Sequence, residues 1–287
     1  MIRGKFIGGH PIIDLMLSCR RGAVMGARKV LDIAVSDDLV ECWRGWFAPP
    51  RQPFPIDPLN PAVAASTPVN ERESTKEWAD TFAMYSGTWT WFDEAEFDAL
   101  PYRSRRALLA ARRRAMRPKT MPVWPSELAR AGDELLFRWV ESSVRPSQHA
   151  SVPLSVWRRA SRLLPEAKRL AGTFPVSGSG ANCFSNVLAA VGVPGMETVN
   201  VVREFQDWLD LHTEPVQGIG HDREPGTVLY WTEHGGLSHA AVTLGDGWLL
   251  HKPSQSWSSP RLVLSVRDLV NRYNFPTTRL FRRRMTS

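Results

Sequence analysis

The sequence predicts an α+β fold: helices packed on a small antiparallel sheet, preceded by a helical region and a short β-rich N-terminal segment. Three observations carry this expectation. Between residues 71 and 170, apolar residues recur at helical spacing and prolines mark the stops. After Pro215 the pattern changes to four strand-like runs joined by short turns. Between the two lies Gly178-Ser-Gly-Ala-Asn-Cys183-Phe-Ser-Asn-Val, a glycine-rich loop that opens into a helix.

Taken in order, residues 1–47 read as short strands at Lys5 to Ile7, Ile12 to Ser18 and Val30 to Val35. Residues 48–70 hold seven prolines, from Pro49 to Pro68, and read as an extended linker poor in backbone donors. Helices are expected at Ser74 to Tyr85, Asp93 to Leu100, Ser104 to Met116, Pro125 to Glu141 and Pro153 to Ala171. Trp78, Trp89, Trp91, Trp124, Trp139 and Trp157 would fill this helical subdomain, 71–170. In the remaining segment, 171–287, Asn182 caps and Gly192 stops the Cys183 helix, and Glu197 to Leu211 forms a second amphipathic helix. Strands follow at Gly226 to Trp231, Ser238 to Leu244, Trp248 to Lys252 and Arg261 to Ser265.

Composition narrows the function. With 43% hydrophobic and 23% charged residues in 287, the chain can bury a large core, which excludes general disorder. Cys19, Cys42 and Cys183 are too few and too scattered for a disulfide framework, and no CxxC pair suggests zinc. A reducing cytoplasm is expected, since Gly8, Gly9, His10 and Asp14 interrupt any signal-peptide core and no apolar run spans a bilayer. Membrane partners and cofactors are not expected. Delivery outside the cell would need another system. The net charge of +7 is concentrated between Arg103 and Lys119, in a stretch that also holds Arg105, Arg106, Arg112, Arg113, Arg114 and Arg117. Lacking a nucleic-acid motif, this run reads as a solvated helix face, with binding of an acidic partner as the alternative.

The chemistry centres on Cys183. In the first turn of a helix, free amides and the positive end of the dipole favour a thiolate, as a nucleophile needs. A proton acceptor comes from His239, and His251, twelve positions on across a Gly245-Asp-Gly247 turn, can orient it by a hydrogen bond. A three-residue loop at Gly245-Asp-Gly247 would set Leu244 opposite Trp248 and Ala241 opposite His251, leaving both imidazoles on one face. A two-residue loop would separate them. His221 and His234 lie in glycine-rich loops and read as solvated, and Cys183, His221, His239 and His251 match no zinc spacing.

Two resemblances add to this. The opening Met-Ile-Arg-Gly-Lys-Phe with Val30-Leu-Asp32-Ile-Ala-Val-Ser36 faintly resembles bacterial retropepsin-like proteases. Asp32-Ile33-Ala34 lacks the hydroxyl and glycine of their catalytic turn, which leaves a β-hairpin as the expectation there. More specifically, Asn182-Cys183, Pro225-Gly226-Thr-Val-Leu-Tyr-Trp231 and Ser238-His239-Ala-Ala-Val-Thr-Leu-Gly-Asp-Gly-Trp-Leu-Leu-His251 resemble the NlpC-type papain-like cysteine hydrolases and, more distantly, the CHAP amidases, over about 175–270. The resemblance implies a papain-like domain with Cys183 as nucleophile, His239 as general base and acid, and His251 as orienting residue. Asn182, Ser238 and Trp231 would line the oxyanion and substrate pocket. The chain departs from the family pattern at Phe184, where the family has serine, and at Thr227, where it has aspartate. The implied function is a thiol hydrolase acting on an amide, isopeptide or thioester bond of a peptide- or amide-containing substrate. The alternatives are acyltransfer or deamidation by the same residues, or a non-catalytic binding module whose basic Arg103–Lys119 stretch engages nucleic acid or an acidic protein.

Overall fold

The computed structural model describes residues 28–57, 59, 61–65, 67–68, 70, 74–116, 122–142 and 144–286. The strands expected at 5–7 and 12–18 lie outside these residues. The chain is mixed α and β and is built on a six-stranded antiparallel sheet. Among the described residues, no helix is long and apolar enough to cross a membrane.

The run Val30–Val35 is a hairpin, β1 (Arg28–Val30) and β2 (Ile33–Val35), because Leu31 and Asp32 adopt positive φ at its turn. Next comes α1 (Asp37–Phe47), which the strand reading of 1–47 overlooked. Ser36 caps it, Asp37 and Asp38 complement its dipole, and Leu39, Val40, Trp43 and Phe47 face inward. The proline-rich stretch is likewise more than a linker. It contains β3 (Arg51–Pro55) and the short helix α2 (Pro61–Ala65). Prolines are tolerated in β3 because the strand has a partner on one side only, β4 (Trp89–Asp93).

Helix α3 (Lys76–Phe82) precedes β4, and α4 (Glu94–Ala99) and α5 (Tyr102–Ala115) follow it. Trp89 and Trp91, expected to fill a helical subdomain, therefore lie in a strand. The helix expected over 125–141 is split into α6 (Pro125–Ala131) and α7 (Glu134–Glu141) by Gly132, whose φ is +72°. That over 153–171 is split at Pro165 into α8 (Leu154–Ala160) and α9 (Ala167–Leu170).

Then come α10 (Cys183–Ala190), α11 (Arg203–His212) and the strands β5 (Thr213–Pro215), β6 (Pro225–Glu233), β7 (Gly236–Gly245), β8 (Trp248–His251) and β9 (Leu262–Ser265). Finally, α12 (Val266–Arg272) leads to β10 (Thr278–Met285). The sheet order is β5-β10-β6-β7-β8-β9, so the four expected strands do form a meander. Strands β5 and β10 were not anticipated, because the charged run Arg282-Arg-Arg284 hides the strand pattern. Its ion pairs to Asp222 and Glu214 fasten β10 in place.

Strand alternation sends side chains to two different cores. On one face Val228, Ala240, Val242, Leu250 and Val263 meet α10, with Trp157, Leu170 and Phe205. On the other, Leu229, Trp231, Ala241, Leu249 and Leu264 meet Val30, Trp43, Phe47, Leu136, Trp139 and Trp257. Residues 28–48 and 128–140 thus share a core with the strands of 171–287, and the divisions drawn from sequence at 47 and 170 are not packing boundaries. The basic run is also not a uniform solvated face. Arg112 is buried between the rings of Phe54 and Phe82, where it donates to Gln52 and to the Pro122 carbonyl.

Candidate active site

Helix α10 begins at Cys183 because Asn182 stops the extended loop before it. The Asn182 Oδ1 accepts the Ser185 N–H at 2.8 Å, and Ser185 Oγ accepts the Asn182 N–H at 2.8 Å, which makes a reciprocal cap. Asn182 also donates from Nδ2 to Asn200 Oδ1 and to the Val201 carbonyl, both at 2.7 Å. All of its polar side-chain atoms are engaged, so its side chain is the fixture of the helix and not a free oxyanion donor. The backbone contributes instead: the amides of Cys183, Phe184 and Ala240 lie near the sulfur and favour its ionised form.

Ala240 links the thiol to the sheet and stands next to His239. The turn between β7 and β8 combines both of the expected alternatives. Asp246 and Gly247, at φ +52° and +83°, form a two-residue loop with Gly245 opposite Trp248. A bulge between Thr243 and Gly245 then shifts the register by one, so that Ala241 opposes His251. His239 and His251 therefore share a face. Their ring centroids lie 5.5 Å apart in a T-shaped arrangement.

The hydrogen bond expected between them is missing. Among the described residues, both ring nitrogens of His251 and the Nε2 of His239 are buried without a partner. His239 is held instead by Tyr273, stacked at 4.0 Å and 7°, with Trp231 at 5.6 Å. Tyr273 follows α12 and carries no motif in the sequence. The two imidazoles belong to the sheet face of Trp231 and Leu249, whereas Cys183 packs in the opposite core with Val242 and Leu250.

The remaining expected pocket residues have other duties. Trp231 is buried in the core, and Ser238 is exposed with its hydroxyl on the Trp231 carbonyl at 3.1 Å. His221 pairs with Glu224 at 3.0 Å, and His234 lies in the β6–β7 turn at φ +51°. Cys42, expected to be an ordinary thiol, is disulfide-bonded, a pairing that scattered spacing cannot reveal. Cys19 lies outside the described residues. Cys183 is the free thiol among those described. The described residues hold no cluster of three or more His, Cys, Asp or Glu that could bind a metal ion.

The site is closed. Cys183 is 6% exposed, His239 2% and His251 1%. Burial pushes the thiol up to about 11, against the pull of the three amides and of Lys252, so the sulfur is protonated near neutral pH. Burial holds His239 down at about 3, with the Arg272 charge acting in the same direction, and His251 is also well below the usual histidine range. Both imidazoles are therefore neutral near neutral pH.

Helix α3 covers the two loops that flank the thiol. Glu77, buried, accepts the Ser179 N–H at 2.9 Å, and Thr81 Oγ1 accepts the Trp257 indole N–H at 3.0 Å. Asp80 accepts from Gln255 at 3.2 Å. Gln255 in turn accepts from Asn200, the partner of the Asn182 cap. A cavity of about 620 Å³ opens against the same segments, with Asp80, Tyr85, Trp139, Ser256 and Ser259 among its walls. Compared with protein-family models, curated proteins and solved structures, the chain matches none.

Proposed function

We propose that this chain is a thiol hydrolase that rests in a closed form, with Cys183 as the nucleophile and His239 as the residue that takes the proton of the attacking water. The observation that carries the reading is the free thiol at the first position of a capped helix, near the Ala240 amide, whose strand neighbour His239 is a stacked, neutral imidazole. Attack by the sulfur on an amide, isopeptide or thioester carbonyl forms a thioester on Cys183 and expels an amine or thiol. Water then releases the acid. The amides of Cys183 and Ala240 are donors for the oxyanion once the sulfur turns to the carbonyl. His251 acts on His239 through packing, and Tyr273 fixes the plane of the ring. The departures at Phe184 and Thr227 remain, and the papain-like architecture is part of the proposal.

Withdrawal of α3 from the flanking loops gives substrate its approach. The test uses a peptide-based electrophile with the wild-type chain and with Cys183→Ala, followed by mass mapping of the adduct. A single adduct on Cys183, absent from the variant, supports the reading. Equal modification of the variant removes it. Product analysis with and without an added amine separates hydrolysis from acyl transfer, and ammonia release identifies deamidation. The basic-module alternative loses ground because Arg112 is structural.

A further inference from the structure

The neighbour of His251 has a part that the sequence did not suggest. Lys252 is completely buried. Alternation and the loop contacts place it: Lys252 directly follows β8, and the 254–257 loop is tied to the loop before Cys183 by the Gly180 N–H on the Gln255 carbonyl at 3.0 Å and the Trp257 N–H on Ser179 Oγ at 3.1 Å. The preceding position, His251, faces the Trp231 side, so Lys252 faces the side of Cys183, and Pro253 keeps its backbone extended. Its Nζ donates to the carbonyls of Ser254 at 2.5 Å and Ser256 at 3.1 Å. Among the described residues, no carboxylate forms a salt bridge with it. A buried ammonium without a counter-ion is costly, whereas a neutral amine has two N–H bonds for the two carbonyls and a lone pair left over.

We infer that Lys252 is the proton acceptor of the Cys183 thiol during acylation. The proton leaves Sγ for the Nζ lone pair, the S–H bond breaks and an N–H bond forms, leaving a thiolate beside an ammonium. Each charge then stabilises the other. As the carbon–nitrogen bond of the substrate breaks, the ammonium returns the proton to the departing amine, and His239 is left to take a proton from water in deacylation. Burial lowers Lys252 and raises Cys183, the directions that keep both neutral until substrate arrives. The other charged or titratable groups about the pair are His239, His251, Arg272, Tyr273, Arg261 and Asp80.

This inference rests on Cys183 being the nucleophile, and its test reads ionisation rather than turnover so that the two can fail separately. The pH dependence of iodoacetamide alkylation at Cys183 is followed in wild type, Lys252→Met, Lys252→Arg and His239→Gln, since the rate reports the thiolate fraction. Lys252→Met should slow alkylation at neutral pH at least tenfold. Lys252→Arg should also slow it, because guanidinium cannot accept the proton. His239→Gln should lose less than Lys252→Met does. A wild-type profile in Lys252→Arg, or a larger loss in His239→Gln than in Lys252→Met, overturns the assignment. If Lys252→Met fails to fold, the arginine variant decides alone, because it keeps a long basic side chain at the position. The peptide-electrophile adduct on Cys183 remains a separate readout of the nucleophile itself.

Discussion

Removing the Glu77 carboxylate should make the thiol more reactive while making the protein less stable. In Glu77→Ala the Ser179 amide loses a charged acceptor at 2.9 Å, in a place where the side chain is buried and water does not replace it. A hydrogen bond to a charged group contributes about 1.5–3 kcal/mol, and most of that loss falls on the contact between α3 and the loop before Cys183. If α3 is the cover, the open population rises by about ten- to a hundredfold, at roughly 1.4 kcal/mol per factor of ten. Iodoacetamide labelling of Cys183 should accelerate by a similar factor, because labelling of a buried thiol follows the open form. The melting temperature should fall by about 3–12 °C, on a scale of roughly 2–4 °C per kcal/mol for a chain of this size. The assay is quenched-flow alkylation with mass detection, beside calorimetry. Labelling that is unchanged or slower, in a variant that melts lower by this amount, would refute the reasoning. Glu77 would then support the fold without gating the thiol.

Three more outcomes follow from the same structure. Acidification should destabilise the fold between about pH 6.5 and 3, because His239 is held neutral at about 3 when folded and takes a proton near 6.5 when unfolded. Stability is full above the upper value and falls by roughly 1.4 kcal/mol per pH unit for that group. Urea melts of wild type against His239→Gln across this range should show a shallower slope in the variant, and parallel slopes would contradict the burial argument. Gly247→Val should cost about 1–3 kcal/mol, since φ is +83° there, and should disturb the register that pairs Ala241 with His251; an unchanged melting temperature would speak against that turn. A fragment of residues 171–287 should not form a native sheet. It lacks Trp43, Phe47, Leu136 and Trp139, which cover Trp231 and Leu249. A cooperative thermal transition from the isolated fragment would count against a shared core.

The sequence by itself determined the local events. Asn182, Cys183 and Gly192 specify the start and stop of α10, because capping needs only neighbours within one turn. The β6–β9 meander was legible because period-two apolar runs and glycine turns are local as well. Helix α1 could have been read from Ser36-Asp-Asp and the spacing of Leu39, Trp43 and Phe47. Strand β4 could have been read from the alternation Trp89-Thr-Trp91. Tertiary structure alone decided what surrounds the sulfur. The bulge before Gly245 moves the register by one residue and reunites two histidines that the two-residue turn would have parted. The same register puts His251 on the side of Trp231, away from Cys183, and alternation turns the next residue, Lys252, the other way. Tyr273 under His239, and Glu77 on Ser179 about a hundred residues away, are contacts between distant segments. No periodicity encodes them, because they come from the packing of whole elements rather than from the spacing of residues along one.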